Sequence, residues 1–173
     1  KNTTNQAGVA SRPATVGSFS LSQNKSITRW DTIFPNFTFT HELGHNMGLQ
    51  HDQGNAGGST TFVPYAFGYQ DPNNHYRTIM STFCSTLPVT APFCQRINFL
   101  SNPGKFFPAP SASEPMGQSA ASALPADNAQ AADNSSSLIS AYRAHVYDIA
   151  IGDTLRMKGV VFGEWDDGAA NEA

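Results

Sequence analysis

Across residues 37–48 apolar and polar positions recur with the period of a helix. At about 100° per residue, His41 and His45 lie within about 40° of each other, whereas Phe39, Leu43 and Met47 fall about 160–240° from His41. One face is therefore apolar and expected to anchor in a core, and the other presents two imidazoles. Asn36 or Thr38 is the candidate N-cap and Gly48 the stop. Upstream, the alternation of Val, Ser, Phe and Ser over 16–21 predicts a strand, and residues 27–34 predict a second, closed off by Pro35-Asn36. Residues 54–74, with Gly57-Gly58 and Asp71-Pro72-Asn73-Asn74, predict an irregular loop crossed by aromatics. The Pro, Ala and Ser of 103–125 predict surface coil. A second helix is expected over about 126–144, with Leu138, Ile139, Ala141 and Tyr142 as its apolar face and Ser135 to Ser137 able to interrupt or recap it. Beyond His145, residues 146–151 and 155–162 read as strands, and the acidic end from Glu164 is expected to fray. The fold class is α+β.

Composition narrows the setting. A chain of 173 residues suits one domain, expected over 1–145, with 146–173 a tail or the start of a further module. Charged residues make up 13%, against about 25% usually, while 39% is hydrophobic, so a core is available. With 10 Lys+Arg, 13 Asp+Glu and no basic cluster, neither nucleic acid nor an anionic membrane is an expected partner. No apolar run approaches a membrane span, and a soluble monomer is expected. Cys84 and Cys94 flank a Pro-containing loop. Two free thiols are possible, but an isolated pair in a chain poor in charge favours a local disulfide and an exported, extracellular protein. On that reading, segments upstream of Lys1 were removed.

The chemistry is concentrated in residues 41–52, His-Glu-Leu-Gly-His-Asn-Met-Gly-Leu-Gln-His-Asp. Two histidines four apart on a helix suit two corners of a tetrahedral zinc site. Gly48 lets the chain reverse in a left-handed conformation and return His51 as the third ligand. Neutral imidazoles leave the full charge of Zn2+ in place, so water in the open position should have its pKa lowered toward about 7. Glu42, about 100° round from His41, is placed to take that proton as general base and pass it to a departing amine.

These residues resemble the metzincin zinc endopeptidases, which combine His41, Glu42, His45, Gly48 and His51 with a downstream Met-turn, here Met80 in Tyr76-Arg-Thr-Ile-Met-Ser81. Asp52 directly after the third histidine is similar to the reprolysin or adamalysin-like branch, and residues 78–81 and 96–103 resemble its secreted bacterial members. The resemblance implies a metzincin-like catalytic domain over 1–145, with a short residual sheet, the zinc helix, an irregular C-terminal subdomain and one C-terminal helix. It further implies Met80 as a hydrophobic floor beneath the metal, Asp52 as a structural hydrogen-bond acceptor, and the residues after Met80, including the Cys84–Cys94 loop, as the wall of the pocket for the side chain following the cleaved bond. Residues 8–21 would supply the last strands of the sheet, including the edge that pairs with substrate.

Two departures stand out. Thr82 occupies the place where some family members carry a Tyr able to approach the metal. Only 40 residues precede His41, too few for the family's full sheet, so the chain reads as lacking the N-terminal part of the catalytic domain. The function expected is that of an extracellular zinc endopeptidase acting on proteins or peptides, with Arg96 or Arg77 as candidate selectors of an acidic side chain. The alternatives are a zinc-binding module without turnover and a zinc hydrolase of non-peptide amides or esters.

Overall fold

The computed structural model describes residues 6–20, 24–71, 73, 76–82, 94–108 and 113–141. These form β1 (Gly8–Ala10), β2 (Ser26–Thr28), α1 (Ile33–Asn36), α2 (Thr38–Asn46), β3 (Tyr76–Arg77), β4 (Gln95–Arg96), β5 (Asn102–Pro108), β6 (Ser113–Met116) and α3 (Asn128–Ser140). Helices and small sheets are mixed, which is α+β. The strands pair as three separate ribbons, β1 with β2 and β5 with β6 antiparallel, β3 with β4 parallel.

The N-terminal strands differ from expectation. Residues 16–18 form a 3-10 turn, because Ser18 Oγ donates to Thr15 O (2.7 Å) and accepts from the backbone of Ala14 and Thr15 (both 3.0 Å). A short polar side chain that satisfies its own backbone competes with a strand ladder. The run over 27–34 is extended only at its start. Thr32 donates from both N and Oγ1 to Arg29 O, the exposed Arg29–Asp31 pair folds over the same turn, and Ile33–Asn36 continues as a helix. The partner of β1 is therefore β2, with Val9 opposite Ile27. Asn46, buried on α2, pins this ribbon by donating from Nδ2 to Ser11 O (2.9 Å) and Lys25 O (3.1 Å).

Helix α2 starts without a side-chain cap, contrary to the assignment to Asn36 or Thr38. Phe37 is the N-cap, and its left-handed conformation (φ 51°) turns α1 into α2. At the far end Gly48 has φ 85°, a conformation that costs glycine little. The face reading is also corrected. Of Phe39, Leu43 and Met47 only Met47, at the C-cap, packs against the core; Phe39 and Leu43 are 38% and 39% exposed, and the buried positions are Thr38, His41, Glu42, Gly44, His45 and Asn46. The helix packs through its polar and small residues. A side chain added at Gly44 would overlap Met80 Sδ, so the missing Cβ is what lets the Met80 segment approach.

The core is small. Leu49, Ala66, Ile79, Met80, Ala131 and Ala132 form it, with Met47, Phe62, Val63, Tyr65 and Leu100 packed against them. Fully buried Leu49 and Met80 each contribute roughly 1.5–3 kcal/mol on transfer from water. The stretch 103–125 is not coil throughout, since β5 and β6 lie within it. A register irregularity between Asn102 and Phe106 accommodates Pro103 and Gly104, the Tyr76 ring packs at a tilt of 35° against Phe107 (centroids 4.4 Å apart), and Tyr76 OH donates to Pro115 O (2.9 Å). α3 begins at Asp127, whose carboxylate accepts from Gln130 N (3.0 Å), and runs unbroken through Ser135–Ser137. Ser135 and Ser136 donate back to the carbonyls of Ala132 and Asp133, satisfying their hydroxyls without ending the helix. Its buried residues are Asn128, Ala131, Ala132 and Ser135, with Leu138 and Ile139 only half-buried.

Cys84, His75, Tyr142, His145, the strands expected at 146–151 and 155–162, the acidic end and the boundary after 145 lie outside the described residues. Among the described residues no helix is long and apolar enough to cross a membrane.

Candidate metal centre

His41 and His45 reach the site from consecutive turns of α2, and His51 returns to it after the Gly48 reversal. His51 Nε2 lies 3.2 Å from His41 Nε2 and 3.0 Å from His45 Nε2. Each ring offers one ligand atom within 4.8 Å of the others. Ligands at about 2.05 Å on tetrahedral zinc would be about 3.3 Å apart, close to the spacing found.

The tautomers follow from main-chain partners. His41 Nδ1 lies 2.8 Å from Ile79 O and His45 Nδ1 2.8 Å from Leu49 O; a carbonyl can only accept, so both Nδ1 atoms carry the proton. Both Nε2 atoms then turn lone pairs inward. His51 has one Nε2 proton to offer at most, so the three rings cannot satisfy one another, and a cation that takes three lone pairs fits the donor set. These acceptor carbonyls carry no signature in the residue types at 49 and 79, so sequence reasoning could not find them.

Burial sets the protonation. His41 and His45 are pushed down to about 3 and about 4, chiefly by desolvation, and His51 is lowered for the same reason. All three are neutral at neutral pH, the form in which an imidazole can bind a metal. Glu42 is 4% exposed, and desolvation raises it to about 7 against the opposing charge of Arg96. Its Oε2 is buried without a hydrogen-bond partner, an arrangement a purely structural carboxylate seldom tolerates. Its Oε1 lies where a side chain on Gly8 would be, so β1 passes over the carboxylate at a glycine. That contact was missed from sequence. A glycine opening a short strand was the only signal available.

Beneath the helix Met80 is wholly buried against Gly44, in a turn where Ser81 N donates to Thr78 O (3.0 Å). Asp52 ties the loop after His51 to this turn. Its Oδ1 accepts from Ser81 Oγ (2.9 Å), Thr82 N (2.9 Å) and Thr82 Oγ1 (3.3 Å), and its Oδ2 from Asn55 Nδ2 (2.7 Å). Burial would raise its pKa, but bonds from Thr82, Asn55 and Ser81 outweigh it and hold the carboxyl low. The structure thus brings His41, Glu42, His45, Gly48, His51, Asp52 and Met80 into one neighbourhood. Cys84 lies outside the described residues.

Comparison with known proteins agrees with this geometry. Residues 1–94 match the model of Metallo-peptidase family M12. A peptidyl-Asp metalloendopeptidase of Xanthomonas campestris pv. campestris is 32% identical over 114 residues, covering 66% of this chain and 24% of that protein. Two of the same name from Stenotrophomonas maltophilia are 29% identical over 147 residues (82% of this chain, 30% of theirs) and 32% over 117 residues (66% and 24%). The chain therefore spans only 24 to 30% of the length of these curated relatives. No solved structure matches it. With more than half its length under the family model, and with that family's three-histidine site assembled, the chain belongs to Metallo-peptidase family M12.

Proposed function

We propose that this chain carries the catalytic centre of an exported zinc endopeptidase, over 1–145, that hydrolyses protein bonds beside acidic residues. The observation that carries the reading is the convergence of three imidazole Nε2 atoms, two of them oriented by main-chain carbonyls, next to a buried carboxylate with an unsatisfied oxygen. His41, His45 and His51 would hold the ion. Bound zinc supplies Lewis acidity, polarising a carbonyl and lowering the pKa of water.

The chain's own residues do the rest. Glu42, with its pKa drawn up to about 7, is matched to accept a proton from water and return it to the leaving amine near neutral pH. Gly8 leaves room for that carboxylate, Asp52 holds the loop bearing His51 against the Met80 turn, and Met80 forms the apolar floor. A Cys84–Cys94 bridge accords with the absence of a free thiol at Cys94 and with export. The names of the relatives supply the acidic preference.

The test is cleavage of a denatured protein by the zinc-loaded chain, with and without chelator, beside Glu42→Ala. Chelator-sensitive cleavage that falls at least about a hundredfold in Glu42→Ala is expected. One equivalent of zinc bound without turnover would contradict it and leave an inactive zinc-binding module.

A further inference from the structure

Arg96, on β4, is a half-buried cation that holds no carboxylate among the described residues. NH1 donates to Asn36 O (2.8 Å), NH2 donates to Ser81 O (2.9 Å), and Nε is buried with no acceptor. A guanidinium has five N–H donors in a planar fork, so three find no acceptor among the described residues. Ser81 directly follows Met80 and Asn36 ends α1, one residue before the N-cap Phe37 of α2, so the group is docked between the Met80 turn and the entry to the helix bearing His41 and His45. The group lies within electrostatic reach of Glu42, His41 and His51. No hydrogen bond joins it to Glu42.

Arg77 differs. It is 8% exposed and its guanidinium donates to Cys94 O, Ser81 O and Thr82 O, a clamp on the turn. It also adds positive charge beside Arg96. A partly desolvated cation next to another, with donors to spare, is unfavourable until an anion arrives, and a carboxylate matches the fork.

Resting on the peptidase reading, we propose that Arg96 is the specificity-determining residue, binding the side-chain carboxylate of the substrate residue just after the cleaved bond. Both of its anchors are backbone carbonyls, so the fork is pre-positioned, and a neutral isostere leaves its donors unsatisfied.

The experiment compares kcat/KM of the zinc-loaded chain on two peptides that differ only in Asp or Asn after the scissile bond. The wild type is expected to favour Asp at least about tenfold, and Arg96→Gln to bring the two within about twofold, with zinc content unchanged. A merely structural arginine would slow both peptides together and leave their ratio alone, which would overturn the proposal. Arg96→Lys keeps the charge without the fork and should reduce the ratio by roughly fivefold. If Arg96→Gln does not fold, an unaltered ratio in Arg96→Lys overturns the proposal by itself. Chelator-sensitive cleavage by the wild type with no Asp preference sinks this inference alone; no chelator-sensitive cleavage of either peptide sinks the peptidase reading and the inference with it.

Discussion

The two sides of α2 pack against the expectation from their chemistry. The side bearing His41, Glu42, Gly44, His45 and Asn46 is polar or small, yet it is the buried one; the side bearing Phe39 and Leu43 is apolar, yet more than a third exposed. Ile27, Trp30 and Phe34, on neighbouring elements, are exposed as well. Polar groups go inside here because the fold receives them: carbonyls for two imidazoles, the Ser11 and Lys25 carbonyls for Asn46, and, for Glu42, whose Oε2 has no partner, the space beneath Gly8. Hydrophobicity alone does not say which face a helix buries when the buried face is a site.

Substitutions sharpen the contrast. The largest loss of stability is expected from Asp52→Ala, which strands the buried Ser81 hydroxyl and the part-buried Thr82 donors and should cost about 3 kcal/mol in urea unfolding. Gly44→Ala drives a methyl into Met80 Sδ and should cost about 1–3 kcal/mol while weakening zinc affinity. On the open side, Leu43→Ser should change stability by no more than about 0.5 kcal/mol. A cost of several kcal/mol for Leu43→Ser would show that this face is covered in solution and would break the comparison.

The pH dependence of the metal-free chain separates the buried groups. His41 and His45 are lowered to about 3 and about 4 from 6.5, so the unfolded chain takes up protons first and stability falls as pH drops from about 6.5 through these values. Glu42 is raised to about 7 from 4.5, so the folded chain keeps a proton that the unfolded chain loses, and stability falls as pH rises from about 4.5 to about 7. Thermal unfolding against pH in chelator should show both limbs. Glu42→Gln should flatten the second and leave the first.

What was legible in the sequence was local. Gly48 needs a positive φ whatever surrounds it, and the spacing of His41 and His45 on a helix brings their rings together in any fold. What was not legible depended on partners. Ser18 and Thr32 turned expected strands into turns through hydrogen bonds of their own, while β5 and β6 formed despite their prolines because Tyr76 gave them a surface to pack on. The serines at 135–137 looked like an interruption, yet Ser135 and Ser136 have hydroxyls that found carbonyls within the helix. At the site the same division holds: the ligand types are in the sequence, and the carbonyls of Ile79 and Leu49 that orient them are not.

The most direct test is X-ray absorption at the zinc edge on chain loaded with one equivalent of zinc. Three imidazole nitrogens at about 2.0–2.1 Å and one oxygen donor are expected, with the imidazole count falling to two in His51→Ala. A first shell containing sulfur, or only two imidazoles in the wild type, would contradict the three-histidine centre.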